Sequence, residues 1–271
     1  MLKIATAVSV AHQPYRLLVV TAFALLFTLH MVDPGQADEG GVLPLATADR
    51  QEIEKVLGPG IILQALPGRA LLPAARYLPK TSGTITYDLI TKGKKSGSET
   101  HLIGPADPQK DGGDLQYEIK SVSRSIFAAS GQDDRTIVRE YDFDQKVVSS
   151  FTPGQPLIVA GLAPGEGRQT HIDVEVADIA HPDKVDYRGA LDVTYTNLGR
   201  FHIRVPAGEY DADLVKWTFS GDIGPASVKT AQYRFIAENA GMVAMVQWRS
   251  ISAMLIYHER SLIGKLLAKQ P

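Results

Sequence analysis

The chain has 271 residues, 44% of them hydrophobic and 21% charged, with 28 lysines and arginines against 30 aspartates and glutamates for a net charge of −2. That balance is ordinary for a folded globular protein and excludes a strongly basic surface for nucleic acid or anionic membrane. There is no cysteine, so disulfides, thiolate metal sites, thiol catalysis and lipid attachment at a cysteine are all excluded, and core packing must hold the fold.

Lys3 and Arg16 precede an apolar run from Leu17 to Leu29, and the small-residue sequence Gly35-Gln36-Ala37 follows. This is the layout of a secretory signal peptide, residues 1–37, with cleavage after Ala37. An uncleaved anchor fits less well, because Thr28, His30 and Asp33 interrupt the run and a spanning helix needs about 20 mostly apolar residues. The expectation is a periplasmic protein with no stable transmembrane anchor after processing.

Residues 38–80 read as a flexible lead-in, a short helix and a proline-rich strap. Thr47 or Asp49 can cap a helix that runs to about Leu57, with Ile53, Val56 and Leu57 on one face and Gly58-Pro59 as its stop. Pro59, Pro67, Pro73 and Pro79 then forbid long regular structure. An extended strap packed through Ile61, Ile62, Leu66, Leu71 and Leu72 is the alternative they leave.

Residues 81–271 read as one antiparallel β domain. Short runs rich in β-branched and aromatic residues predict strands over Thr84 to Thr91, Ser98 to Ile103, Leu115 to Val122, Ile126 to Ala129, Thr136 to Phe143 and Val147 to Phe151. Lys92-Gly93-Lys94 and Asp144-Gln145 are predicted tight turns, and Pro105 to Asp114 an exposed loop. The second half alternates more clearly: Ile172, Val174 and Val176 against His171, Asp173 and Glu175, then Phe201, Ile203 and Val205, then Val215, Trp217 and Phe219. Tyr233 to Ile236 and Met242 to Trp248 predict a hairpin around Glu238-Asn239-Ala240-Gly241. A last strand is predicted near Ser252 to His258, followed by a short amphipathic helix to about Lys269. The expected fold class is therefore mainly β: a curved antiparallel sheet or incomplete β-barrel with a short N-terminal helix and a short C-terminal helix.

Three segments carry a resemblance: Val205-Pro206-Ala207-Gly208-Glu209-Tyr210-Asp211-Ala212, Gly221-Asp222-Ile223-Gly224-Pro225-Ala226, and Glu238-Asn239-Ala240-Gly241-Met242-Val243. With the opening Tyr77 to Tyr87, they resemble a family of uncharacterised secreted bacterial proteins placed near the lipoprotein-carrier type of fold. The resemblance covers roughly residues 77–250 and implies an incomplete antiparallel barrel around a helix or an apolar cavity. Its motifs mark turns, and no catalytic residue comes with it.

Nucleophile elbows, phosphate-binding glycine loops and the His-Glu-x-x-His metalloprotease pair are absent, since His258-Glu259 is followed by Arg260-Ser261-Leu262. His171, Asp173 and Glu175 share a strand face, as do Glu140, Asp142 and Asp144, but side chains along one strand diverge, so both rows read as outer, solvated faces rather than metal sites. Asp183 and Asp186 beside His181-Pro182 read as turn residues. No metal or other cofactor is expected. A hydrolase built on carboxylates such as Asp142 or Asp211 has no motif behind it, and the expected protein is not an enzyme. Phe201, Trp217, Phe219, Tyr233, Phe235, Met242, Met245 and Trp248 form an apolar set on the long strands. They are either filled core or, all but Met242, the candidate lining of a pocket for a lipid, an acyl chain or another apolar small molecule. The rival expectation is an interaction or scaffold module for an envelope protein, with a filled core and an exposed apolar patch.

Overall fold

Strands with one apolar and one polar face need a covered side, and closing the sheet on itself supplies one without leaving an edge. The computed structural model describes residues 41–79, 82–130, 134–253 and 257–270, so the signal peptide expected at residues 1–37 lies outside the described residues. A helix α1 (Thr47–Leu57), a strand β1 (Ile62–Leu66) and a short helix α2 (Ala74–Tyr77) come first. A meander follows: β2 (Gly83–Thr91), β3 (Lys94–Pro105), a helical turn α3 (Pro108–Asp111), β4 (Leu115–Ile119), β5 (Ser123–Ser130), β6 (Asp134–Asp142) and β7 (Val147–Pro156). It continues through β8 (Gly167–Asp178), β9 (Val185–Val205), β10 (Gly208–Ile223), β11 (Ala226–Ala237), β12 (Gly241–Ala253) and β13 (Tyr257–Lys269).

Each strand from β2 to β13 pairs antiparallel with its successor, and β13 returns to β2 through Gly264↔Ile90 and Leu266↔Asp88. The result is a closed barrel of 12 strands, which corrects the expectation of a curved sheet or an incomplete barrel. The expected first-half strands and turns are in place, with Lys92 and Gly93 at positive φ in the β2–β3 turn. Strand β9 has 21 residues and serves two partners on one edge: β8 along its first half, and β1 along its second, from Ile62↔Ile203 to Leu66↔Arg200.

The C-terminal helix is the second correction, because its residues form β13. Ile263, Lys265 and Leu267 alternate there with Leu262, Gly264 and Leu266, and β12 and β2 supply the hydrogen-bond partners on either side. Leu262 and Leu266 lie four residues apart, a spacing that puts two side chains on one face of either a helix or a strand.

α1 lies on the outer wall. Its bounds match the prediction, but Ala46 occupies the N-cap and no side chain caps the helix. Asp49 is drawn instead into a tertiary cluster, accepting from Lys216 Nζ at 2.8 Å and from the Tyr233 hydroxyl at 2.7 Å. Gly264 makes room for α1, since a Cβ there would lie 2.7 Å from Leu57 Cδ2 and 2.9 Å from Val56 Cγ1. Ile53, Val56 and Leu57 pack with Ile62, Phe201, Ile203, Leu214, Phe235 and Val246 in a layer that spans α1, β1 and the sheet. A second cluster, with Val174, Val193, Tyr195, Trp217 and Phe219, fills much of the barrel interior.

The strap after β1 closes one end of the barrel. Leu71 donates its amide to Leu162 O and accepts from Gly161 N, while Asn197 Nδ2 reaches Arg69 O and Leu162 O. Leu71, Ala74 and Tyr77 join the interior cluster. Arg69 ties this cap down through ion pairs to Asp213 at 2.9 Å and Glu238 at 2.7 Å, and the Tyr77 hydroxyl donates to the same Asp213 at 2.7 Å.

Candidate functional site

The strand register defines the interior wall. Tyr195, Trp217, Gln232, Gln247 and Ile263 form one transverse row on β9 to β13, and Val215, Arg234, Met245 and Lys265 form the next. Between these rows and the opposite wall lies a cavity of about 190 Å³. Its apolar lining includes Ile85, Phe127, Ile137, Ile236 and Met245, with Tyr77, Leu78, Leu157 and Ile158 contributed by the capped end. Its polar lining includes Arg234, Glu140, Gln155, Gln232, Gln247, Lys265 and His101.

Arg234 is the most unusual of these. Its guanidinium stacks 3.9 Å from the Trp217 ring, which itself stacks on Tyr195 with centroids 5.9 Å apart. Nε donates to Gln232 Oε1 at 2.6 Å, and Gln232 Nε2 donates to Gln247 Oε1 at 2.6 Å. Burial pulls the guanidinium down to about 10, against the opposing influence of Tyr195 and Glu140. The side chain still keeps some accessible surface, because it faces the cavity. Trp217 Nε1 and Gln247 Nε2 are buried donors without a partner in the same wall.

A second polar group sits on β3 and β13. Lys265 Nζ pairs with Glu99, and His101 Nε2 lies 2.6 Å from Glu99 Oε1. Burial raises the Glu99 carboxyl, but the His101 hydrogen bond and the Lys265 charge outweigh it and hold it at about 2. Burial lowers the His101 imidazole, with the Glu99 hydrogen bond opposing. On acidification the unfolded chain therefore takes up protons that the fold refuses, first at His101 below its unfolded value of ~6.5, then at Glu99 below ~4.3. Both contributions to stability are complete above ~6.5 and are lost as pH falls, the Glu99 share disappearing as pH approaches about 2. The urea-midpoint advantage of wild type over His101→Gln should therefore shrink as pH falls below ~6.5.

Of the seven predicted pocket residues, the structure brings Trp217 and Met245 to the cavity. Phe219 packs beside Trp217 in the interior, with centroids 5.3 Å apart, without lining the space. Phe201, Tyr233 and Phe235 belong to the layer under α1 and β1. The Tyr233 hydroxyl lies within hydrogen-bond distance of two carboxylates of the helix, 2.7 Å from Asp49 Oδ1 and 2.6 Å from Glu52 Oε2, and shares its one proton between them. Trp248 is 41% exposed on the outer wall, at one end of a shallow trough whose other end holds His171 and Asp192. The acidic row divides likewise: Glu140 and Asp142 are buried rather than outward, Glu140 against the cavity. His171 and Glu175 are outward as expected, engaged by Asp192 and Arg188.

Arg234, Gln232, Gln247, Lys265, Glu99 and His101 went unpredicted as site residues. For Arg234, Gln232 and Gln247 the sequence signal is polar residues alternating with Tyr233, Phe235 and Val246, a pattern that normally marks the solvent side. Here the second apolar face is covered by α1, so the polar row turns inward.

Among the described residues, no helix is long and apolar enough to cross a membrane, and no group of three or more histidines and carboxylates is placed to hold a metal. The outer wall of β8 and β9 carries exposed Asp173, Glu175, Arg188 and Asp192, charges that cost about 2–4 kcal/mol each for Arg or Lys, less for Asp or Glu, on a lipid-facing barrel surface. No family model matches the chain, and no curated protein matches it. Two solved structures resemble it in part. One is a Bacteroides fragilis protein provisionally designated an exported protein with YMCC-like fold, at 14% identity and TM-score 0.39 over 72% of this chain and 99% of that one. The other is a Parabacteroides distasonis protein provisionally designated a lipoprotein, at 14% identity and TM-score 0.36 over 72% of this chain and 98% of that one. Likeness at that level carries no reading of function.

Proposed function

We propose that the protein is an exported, periplasmic, non-enzymatic binding protein that holds a hydrophobic ligand, a lipid or part of an acyl chain, inside its barrel. The observation that carries this reading is the cavity of about 190 Å³ inside the barrel, walled in part by Ile85, Phe127, Ile137, Ile236 and Met245. Apolar surface that a ligand buries there contributes ~25 cal/mol per Å². A dry cavity of ~150 Å³ suffices for benzene, so this one takes a short apolar body rather than a whole long chain. The export address rests on the Lys3, Arg16, Leu17–Leu29 and Gly35-Gln36-Ala37 layout.

The test is native mass spectrometry of the protein purified from its own envelope, with organic extraction of what remains bound. A stoichiometric adduct of lipid or acyl mass is the expected result. A bare polypeptide mass that also takes up no short-chain alcohol on titration overturns the reading.

One observation favours the rival reading as an envelope interaction module. Trp248 and Leu262 face each other across β12 and β13 on the outer wall, 41% and 47% exposed. That reading gains if replacing both by serine abolishes an envelope association that Met245→Ala leaves intact.

A further inference from the structure

Resting on the binding role proposed above, we infer that the cavity's ligand carries a carboxylate head, and that Arg234 receives it. A guanidinium has five N–H donors, and Arg234 uses one of them, Nε, on Gln232. No ion pair joins Arg234 to any carboxylate of the described residues. Glu140 lines the same cavity and acts on Arg234 from a distance, but it is not a free carboxylate. The other cation at the wall, Lys265, is already committed to Glu99.

A buried cation without a paired carboxylate is costly, and this one is held in place from two sides. Trp217 fixes the plane of the guanidinium by stacking, and the Gln232–Gln247 chain fixes Nε. That orientation leaves the Nη atoms for a ligand on the side where the side chain keeps accessible surface. A planar fork of donors matches a carboxylate two oxygens at a time. Ile85, Phe127, Ile137 and Met245 supply the apolar surface for the remainder of the molecule. The chemistry is that of a short amphipathic monocarboxylate, or of the carboxyl end of a longer one.

The experiment compares hexanoate with 1-hexanol, which share a chain and differ in the head. Each is titrated into the wild-type protein, into Arg234→Met and into Arg234→Lys, with the indole N–H resonance of Trp217 followed by NMR in a Trp248→Phe background. Wild type is expected to bind hexanoate at least tenfold more tightly than hexanol. R234M should lose at least tenfold for hexanoate while hexanol changes less than threefold, and R234K should fall between. Thermal melts establish that each variant is folded, and R234K with its retained charge serves if R234M does not fold. Equal binding of the two probes by wild type, or equal losses for both in the variants, overturns the carboxylate assignment and leaves the binding role standing. Binding of neither probe by folded wild-type protein whose mass is that of the bare polypeptide overturns both.

Discussion

Arg69→Met is expected to destabilise the protein by about 3 kcal/mol or more, the low end of the cost of removing one partner from a buried pair. For a domain of this size that is a fall in melting temperature of roughly 6–12 °C. The substitution leaves the Asp213 carboxylate, whose side chain is 2% exposed, with the Tyr77 hydroxyl and without its ion-pair partner. It also frees Glu238 from one of its two arginines, the other being Arg76 at 2.6 Å. Because these contacts hold the strap across the barrel end, amide exchange should quicken at Leu71 and Gly161, whose bonds run between the strap and the facing loop. Adding Asp213→Asn should recover much of the loss, since an amide keeps the acceptor for Tyr77 without stranding a charge. If the double variant is no more stable than R69M, the latch is not what Arg69 contributes.

Lys265→Met should cost a similar amount, about 3–5 kcal/mol, because it strands the Glu99 carboxylate inside the barrel. The sign of its pH dependence separates this cause from lost packing. In the variant Glu99 no longer has the cation that helps hold its proton off, so acid relieves the penalty by neutralising the group, and the gap to wild type should narrow as pH falls through the carboxylate range. A gap that stays constant with pH would assign the effect to the missing lysine stem. Lys265→Met with Glu99→Gln should restore most of the stability at neutral pH, and urea midpoints with unchanged m-values are the appropriate readout.

Only a small part of the candidate site was legible in the sequence. Trp217 and Met245 sit where their place in an alternating apolar strand put them, against the cavity. Phe201, Phe235 and Tyr233 satisfy the same pattern and lie on the other side of the sheet, under α1 and β1. A strand covered on both faces has apolar residues at odd and even positions alike. Alternation then loses its power to say which face is inside. The same ambiguity hid Arg234, Gln232 and Gln247, which look like a wet face until a helix is found covering their neighbours.

The amino-acid sequence by itself determined the β character of the described residues between Gly83 and Ala253, the bounds of α1, the interruption of regular structure by Pro59, Pro67, Pro73 and Pro79, and the tight turns, because each rests on local rules of backbone conformation and side-chain periodicity. The absence of cysteine likewise settled that packing carries the fold. Closure of the barrel through β13 and β2, the strand state of the last segment, the seating of α1 over Gly264 and the inward turn of Arg234 were decided by tertiary structure. The reason is the range of the forces involved. Leu262 and Leu266 suit a helix or a strand equally, and only the unpaired edges of β12 and β2, distant in sequence, supply the hydrogen bonds that make the strand the lower-energy state.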